Sequence, residues 1–167
     1  MTLIYPGSFD PVTMGHIDIA LRGAELAGRL VVAVLDNPNK KTLFTVGERV
    51  ALLKEAFAGN GKIEIDSFGG LLAEYAAKCV GKTAILRGLR SPADFESEAR
   101  YAACNKLLGI ETLFLAASPS LAFVSSSIVR EIAAMGGDKN MDKMENLMVT
   151  PAVRAALAIK QKGEGVK

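Results

Sequence analysis

The sequence predicts an α/β chain, a doubly wound five-stranded parallel sheet with helices on both faces. Two observations carry this. Short apolar, β-branched runs alternate five times with stretches whose apolar residues recur at helical spacing. Polar turns then follow the runs, where a parallel sheet gathers its ligand-binding loops.

Thr2-Leu3-Ile4-Tyr5 suits the first strand, and Ile17, Ala20, Leu21 and Ala24 mark the core stripe of the first helix. Leu30 to Leu35 is continuous and apolar, as expected of a parallel strand covered on both faces. Asp36 to Thr45 reads as polar loop, Val50, Leu53 and Phe57 as the next helix, and Gly59-Asn60-Gly61 as its end. Ile63-Glu64-Ile65 is a short strand with one exposed position, and Leu71 to Val80 a helix. Thr83 to Leu86, a helix from about Asp94 to Leu108, and Thr112 to Leu115 complete the alternation. A serine cap then opens a helix with Ile128, Ile132 and Met135 as its buried stripe, and Thr150-Pro151 starts a last one. Between them Lys139 to Val149 forms a Met-rich stretch. Its Met141, Met144, Leu147 and Met148 have helical spacing and suit a subunit contact. The whole, residues 1–167, reads as one domain with a C-terminal helical tail from about residue 139.

Composition narrows the function classes. At 167 residues, 50% hydrophobic and 23% charged, the chain can fill a core without staples. A net charge of +2, spread along the sequence, argues against nucleic acid or a membrane surface as partner. Cys79 and Cys104 lie far apart without a C-x-x-C, so two buried thiols are expected and no zinc site or disulfide. No basic leader precedes the first strand and no run approaches the roughly 18 apolar residues of a membrane span, so a cytoplasmic location is expected.

The candidate chemistry falls after the strands. In Gly7-Ser8-Phe9-Asp10-Pro11, Gly7 permits close backbone approach or a positive φ, Pro11 blocks an early helix, and Gly15 lets the chain enter the helix with little bulk. That places His16 at a helix start, where unpaired amides and the dipole favour an anion that Ser8 and His16 would both face. Asn37-Pro38-Asn39-Lys40-Lys41 follows the second strand. It is either a solvated turn or a loop bringing a compact charge to a phosphate. Arg87-Gly88-Leu89-Arg90 follows the fourth strand. Its guanidiniums either grip phosphate oxygens or pair with Asp94, Glu96 or Glu98 on the next helix. Ser125-Ser126-Ser127 begins a helix without Glu or Gln three residues on, which leaves its first amides open to an anion, with Arg130 one turn inside. Gly81-Lys82-Thr83 imitates a P-loop end, but Ala76 stands where the first glycine belongs and a strand follows. No G-x-G-x-x-G follows a strand, which disfavours a dinucleotide-binding dehydrogenase.

Gly7 to Pro11 with Thr13-Met14-Gly15-His16 resembles the nucleotidylyltransferase superfamily, whose loop reads G-[ST]-F-D-P before [HTN]-x-G-H. Thr13, the Arg87 to Arg90 run and Val124-Ser125-Ser126-Ser127-Ile128-Val129-Arg130 make the chain similar to the phosphopantetheine adenylyltransferase family. That resemblance, spanning Leu3 to about Asp138, implies a Rossmann-like sheet and transfer of AMP from ATP to 4′-phosphopantetheine, giving dephospho-coenzyme A and pyrophosphate. It implies catalytic roles for His16, Ser8, Lys40 and Arg90, and phosphopantetheine contacts from Ser8, Lys40, Leu72 and Arg87. ATP would meet Ser8, Phe9, His16, Gly88, Leu89, Arg90 and Glu98, together with Leu121, Ala122, Phe123, Val124, Ser125, Ser126 and Ser127. Leu121 stands where many members carry an aromatic residue near the adenine. No protein metal ligand is implied; Mg²⁺ would be bound mainly through the ATP phosphates. Dephospho-coenzyme A or coenzyme A is implied as product or feedback ligand, and a homohexamer as the assembly. The nearest alternatives are an adenylyltransferase for nicotinamide mononucleotide on the same scaffold and a nucleotide-binding module without turnover.

Overall fold

The structure, a computed structural model, describes the backbone of residues 1–164, with side chains described except at 136–141 and 162–164. Five strands form one parallel sheet: β1 (Thr2–Gly7), β2 (Arg29–Asp36), β3 (Ile63–Gly69), β4 (Thr83–Leu89) and β5 (Thr112–Ala116), in the order β3-β2-β1-β4-β5. Helices α1 (Met14–Ala27), α2 (Val46–Ala56), α3 (Leu72–Ala77) and α4 (Pro92–Leu107) connect them, and α5 (Ser126–Met144) and α6 (Pro151–Glu164) follow. The chain winds outward from β1 to β3, returns through α3, and winds the other way from β4 to β5. The direction reverses between β1 and β4. A crevice opens at the carboxyl ends of strands on either side of such a reversal.

Strands β1, β2 and β4 are buried on both faces, which is why they read as continuous apolar runs, whereas the edge strands β3 and β5 are largely open. Leu3, Tyr5, Leu30, Val32, Val34 and Leu86 point to one side, into a core with Ile17, Ala20 and Ala24 of α1, Leu53 of α2, and Val153 and Leu157 of α6. Ile4, Val31, Ala33 and Ile85, one register apart, point to the other side and meet Ala76 of α3, Phe68 and Ile110. This second layer is thin. Helix α4 lies against β4 and β5 without burying any residue. Leu53 is wholly enclosed in the larger core. Leu53→Ala should therefore lower unfolding free energy by about 2–5 kcal/mol, read from urea denaturation, because the cavity it leaves cannot collapse completely.

Capping explains several boundaries. Thr45 accepts from Glu48 N while the Glu48 carboxylate accepts from Thr45 N, a reciprocal box that starts α2. Ser91 caps α4, with Pro92 in its first turn, so the helix begins two residues before Asp94. Gly28, at φ 78°, ends α1 in the left-handed conformation, its N–H returning to Ala24 O. Helix α3 is shorter than the expected Leu71 to Val80, because past Ala77 its bonds tighten to i→i−3, from Lys78 N to Tyr75 O and from Cys79 N to Ala76 O. Strand β3 runs on to Gly69, and β4 to Leu89, so Arg87 and Gly88 are strand residues and not a loop beyond it.

Other expectations are corrected. Leu21 is exposed and Ile19 and Gly23 are buried in its place, because α1 turns Ile19 onto Gly88 and Gly23 onto Leu86 and Leu30 of the sheet. Helix α5 buries Val129 and Ala133, with Ile132 partly covered, whereas Ile128 and Met135 face outward. Only Cys79 is partly covered; Cys104 is exposed, since α4 buries nothing. Met144 and Met148 are 3% and 5% exposed within the chain's own core, so they are not free for a subunit contact. Leu147 is exposed, and Met141 lies outside the described side chains.

Candidate active site

A cavity of about 360 Å³ opens at the carboxyl ends of β1 and β4, at the reversal of strand order. Its floor is the loop after β1. Phe9, at φ 48° and 3% exposed, folds its ring back over Gly7, where a Cβ would stand 2.9 Å from Phe9 Cζ. Glycine is needed at position 7 for this ring, and Gly7 itself has no positive φ. The same ring meets Tyr5 and His16 edge-on, with centroids 5.4 and 5.1 Å apart. Phe9 thus forms the wall that fixes the imidazole.

His16 is the third residue of α1 and closes a capping box with Thr13. Thr13 N donates to His16 Nδ1 at 3.1 Å, and His16 N donates to Thr13 Oγ1 at 3.4 Å. A backbone N–H can only donate, so Nδ1 is an acceptor and the neutral ring carries its proton on Nε2. Burial, and secondarily the Arg90 guanidinium, lower the His16 pKa to about 4. His16 is therefore a neutral N–H donor at physiological pH. Its folded pKa lies below the unfolded value of about 6.5, so its contribution to stability is fully present above pH 6.5 and is lost as pH falls toward 4. The urea midpoint should fall across that window, and less so in His16→Gln, which lacks the titration.

Cations surround the donor. Lys40 Nζ, on the loop after β2, donates to Ser8 Oγ at 2.9 Å, joining two loops from neighbouring strands. Arg87 donates from Nη1 to Pro6 O at 2.9 Å and grips Glu98 by two bonds of 2.6 Å. Arg90 bonds Asp94 at 3.1 Å and also lines the cavity. Two of the three acidic partners weighed for the arginines, Glu98 and Asp94, are realised, yet Arg87 and Arg90 still reach the cavity. Arg130, from α5, donates to Asp10 O and also lines it. Among the described residues Asp10 is the only acid that lines it, and its carboxylate accepts from Leu43 N and Phe44 N at 2.9 Å each and stands 3.5 Å from Arg130 Nη1. The balance of charge favours a polyanion.

The third wall is the start of α5. Ser125 caps it by accepting from Ile128 N, and Ser126 Oγ donates to Pro11 O at 2.8 Å, tying α5 to the first loop. The amides of Ser126 and Ser127 fall in the first turn, where a helix offers them no internal partner. Gly15 faces this wall without being required by it, since a Cβ there would make only ordinary contacts of 3.8 and 3.9 Å with the carbonyls of Leu121 and Val124.

Ser8, Phe9, His16, Lys40, Arg87, Gly88 and Arg90 thus line one cavity, together with Leu121, Val124 and the three serines. Leu72, Leu89, Ala122 and Phe123 do not line it, and Glu98 is committed to Arg87. Two contributors escaped the sequence reading. Asp18 accepts from Ser118 Oγ at 3.0 Å and braces the loop after β5. Arg49, 2% exposed, donates among the described residues only to backbone carbonyls, those of Ser8, Leu35 and Phe44. Neither belongs to a motif; an acid or arginine on a helix reads as solvated until its tertiary partner is known.

The model of the cytidylyltransferase-like family matches residues 4–132. A phosphopantetheine adenylyltransferase of Caldanaerobacter subterraneus subsp. tengcongensis is 54% identical over 136 residues, covering 80% of this chain and 84% of that protein. The enzyme of the same name from Methylococcus capsulatus is 45% identical, with 99% of each chain covered. Among solved structures, Plasmodium falciparum nicotinic acid mononucleotide adenylyltransferase complexed with NaAD has a TM-score of 0.64 at 15% identity, covering 99% of this chain and 96% of that one. That likeness is one of fold.

Proposed function

Because the chain belongs to the cytidylyltransferase-like family and, within it, to the phosphopantetheine adenylyltransferases, we propose that it transfers AMP from ATP to 4′-phosphopantetheine, a step of coenzyme A biosynthesis. The observation that carries this reading is the pairing of a neutral Nε2–H donor with Lys40 and Ser8 in one cationic cavity at the strand reversal. A phosphate oxygen of the acceptor attacks the α-phosphorus of ATP, the bond from that phosphorus to the β-phosphate bridge oxygen breaks, and pyrophosphate leaves with the electron pair. The acceptor is already an anion. No side chain must become a nucleophile, and the work is alignment and charge stabilisation.

Lys40 neutralises the attacking phosphate and Ser8 fixes its approach. His16 Nε2–H donates to the α-phosphoryl oxygen, whose charge rises in the transition state. Arg90 and the first-turn amides of α5 hold the nucleotide phosphates. Mg²⁺ carried by ATP as part of the substrate would shield the charge of its phosphates. No group of three His, Cys, Asp or Glu able to hold a metal occurs among the described residues, and Asp10 is committed to two amides. These residues fit an ion carried by phosphates and water.

No described helix is long and apolar enough to cross a membrane. We assign the chain to the cytoplasm with its substrates, as one domain acting in a homohexamer. The exposed Phe95, Tyr101, Leu107 and Leu108 on or beside α4, with Leu113 on β5, support a subunit contact there. Light scattering gives the assembly's mass. The activity is tested by pyrophosphate release from Mg·ATP on adding 4′-phosphopantetheine, with nicotinamide mononucleotide in parallel. Release with phosphopantetheine alone supports the reading; release only with the mononucleotide, or ATP binding without release, overturns it.

A further inference from the structure

We infer that Arg49 is a positioning residue that sets Lys40 against Ser8 and so aligns the attacking phosphate, an inference that rests on the proposed reaction. Arg49 stands in the second turn of α2, buried, and forms no ion pair among the described residues. A guanidinium sealed from water without a carboxylate costs several kcal/mol unless its donors are well satisfied. Its Nη1 donates to Ser8 O at 2.8 Å and to Leu35 O at 3.2 Å, and its Nε donates to Phe44 O at 3.1 Å.

The three carbonyls are not scattered. Ser8 O belongs to the residue whose hydroxyl accepts from Lys40. Leu35 and Phe44 flank the loop that carries Lys40, one just before it leaves β2 and the other just before α2 begins. One rigid fork therefore holds both ends of the lysine loop and the backbone of its partner. Asp10 closes the same arrangement from the other side through Leu43 N and Phe44 N. Arg49 lines no part of the cavity and cannot touch substrate in this arrangement. Its influence passes through Ser8 and Lys40. A packing role would be met equally well by an apolar side chain, which could not join three carbonyls.

Arg49→Lys keeps the charge but not the fork, and Arg49→Gln keeps an amide donor without the charge. In each, kcat per folded chain is expected to fall about 10²-fold, the scale of an ångström-sized misplacement, with KM for Mg·ATP changed less than about threefold. In a Lys40→Ala background the same substitution should cost less than about threefold, since its route is already cut. Unchanged kcat with only a lower melting temperature, equal losses in both backgrounds, or failure of both variants to fold would overturn the inference. The unaltered chain is assayed beside them. If it shows no turnover, the functional reading fails, and amine-reactive labelling of Lys40 still judges Arg49. Faster labelling in Arg49→Lys supports a loosened Lys40–Ser8 pair, and an unchanged rate overturns it.

Discussion

His16→Ala is expected to lower kcat about 10³-fold while affinity for ATP, read by calorimetry, stays within a few-fold. The donor at Nε2 serves a charge that grows only as the phosphorus becomes pentavalent, so its loss falls on the transition state and not on ground-state binding. The same residue closes the capping box of α1. Alanine should therefore also cost about 1 kcal/mol of stability. Glutamine is an ordinary third residue of such a box. His16→Gln separates the roles: the melting temperature should recover most of what alanine loses, while kcat remains far below that of the unaltered chain. A His16→Ala chain with full kcat would remove the imidazole from the chemistry. With Nδ1 an acceptor and the pKa held near 4, the histidine should leave no inflection in kcat between pH 6 and 9.

Lys40→Ala should reduce kcat/KM for the acceptor by about 10²- to 10³-fold, with ATP affinity again little changed. The ammonium is exposed and bonded only to Ser8 Oγ among the described residues, so its removal exposes no core and should leave the urea midpoint unaltered. That contrast makes the measurement discriminating. A loss of activity with full stability belongs to the reaction. Lys40→Arg should restore only part of the rate, because the wider planar guanidinium cannot take the position of a compact ammonium against Ser8. Full activity in Lys40→Ala would return this loop to the solvated turn weighed from sequence.

Much of this architecture was legible in the sequence. Strands buried on two faces announce themselves as unbroken apolar runs, as Leu30 to Leu35 does, and the five runs with their helices led to the parallel sheet. Phase was harder to read than existence. Leu21, Ile128 and Met135 looked like core because helical spacing allows two neighbouring stripes, and only tertiary packing, as of Ile19 on Gly88 and Gly23 on Leu86, decides which stripe turns inward. The cavity followed the same division. Ser8, His16, Lys40, Arg87 and Arg90 lie close to strand ends and carry groups suited to phosphate, so their types and places marked them. Arg49 bore no such mark. Its significance lies in bonds to Ser8, Leu35 and Phe44, two of which it reaches across distant stretches of chain. Nor could spacing show that His16 would be locked by Thr13, since histidine is not the usual closing residue of a capping box.

The reversal between β1 and β4 also governs how the chain comes into being during synthesis. β1 emerges first, yet its second hydrogen-bonded neighbour begins only at Thr83, so until then the central strand of the finished sheet is an open edge. Gly7 and Ser8 are made before Arg87 and Arg90, and these before Ser125 to Arg130. A nascent chain therefore carries an incomplete polyanion cradle until residues 125–130 have left the ribosome. Nucleotide cannot rescue an early intermediate, and it favours only chains whose two windings have already met.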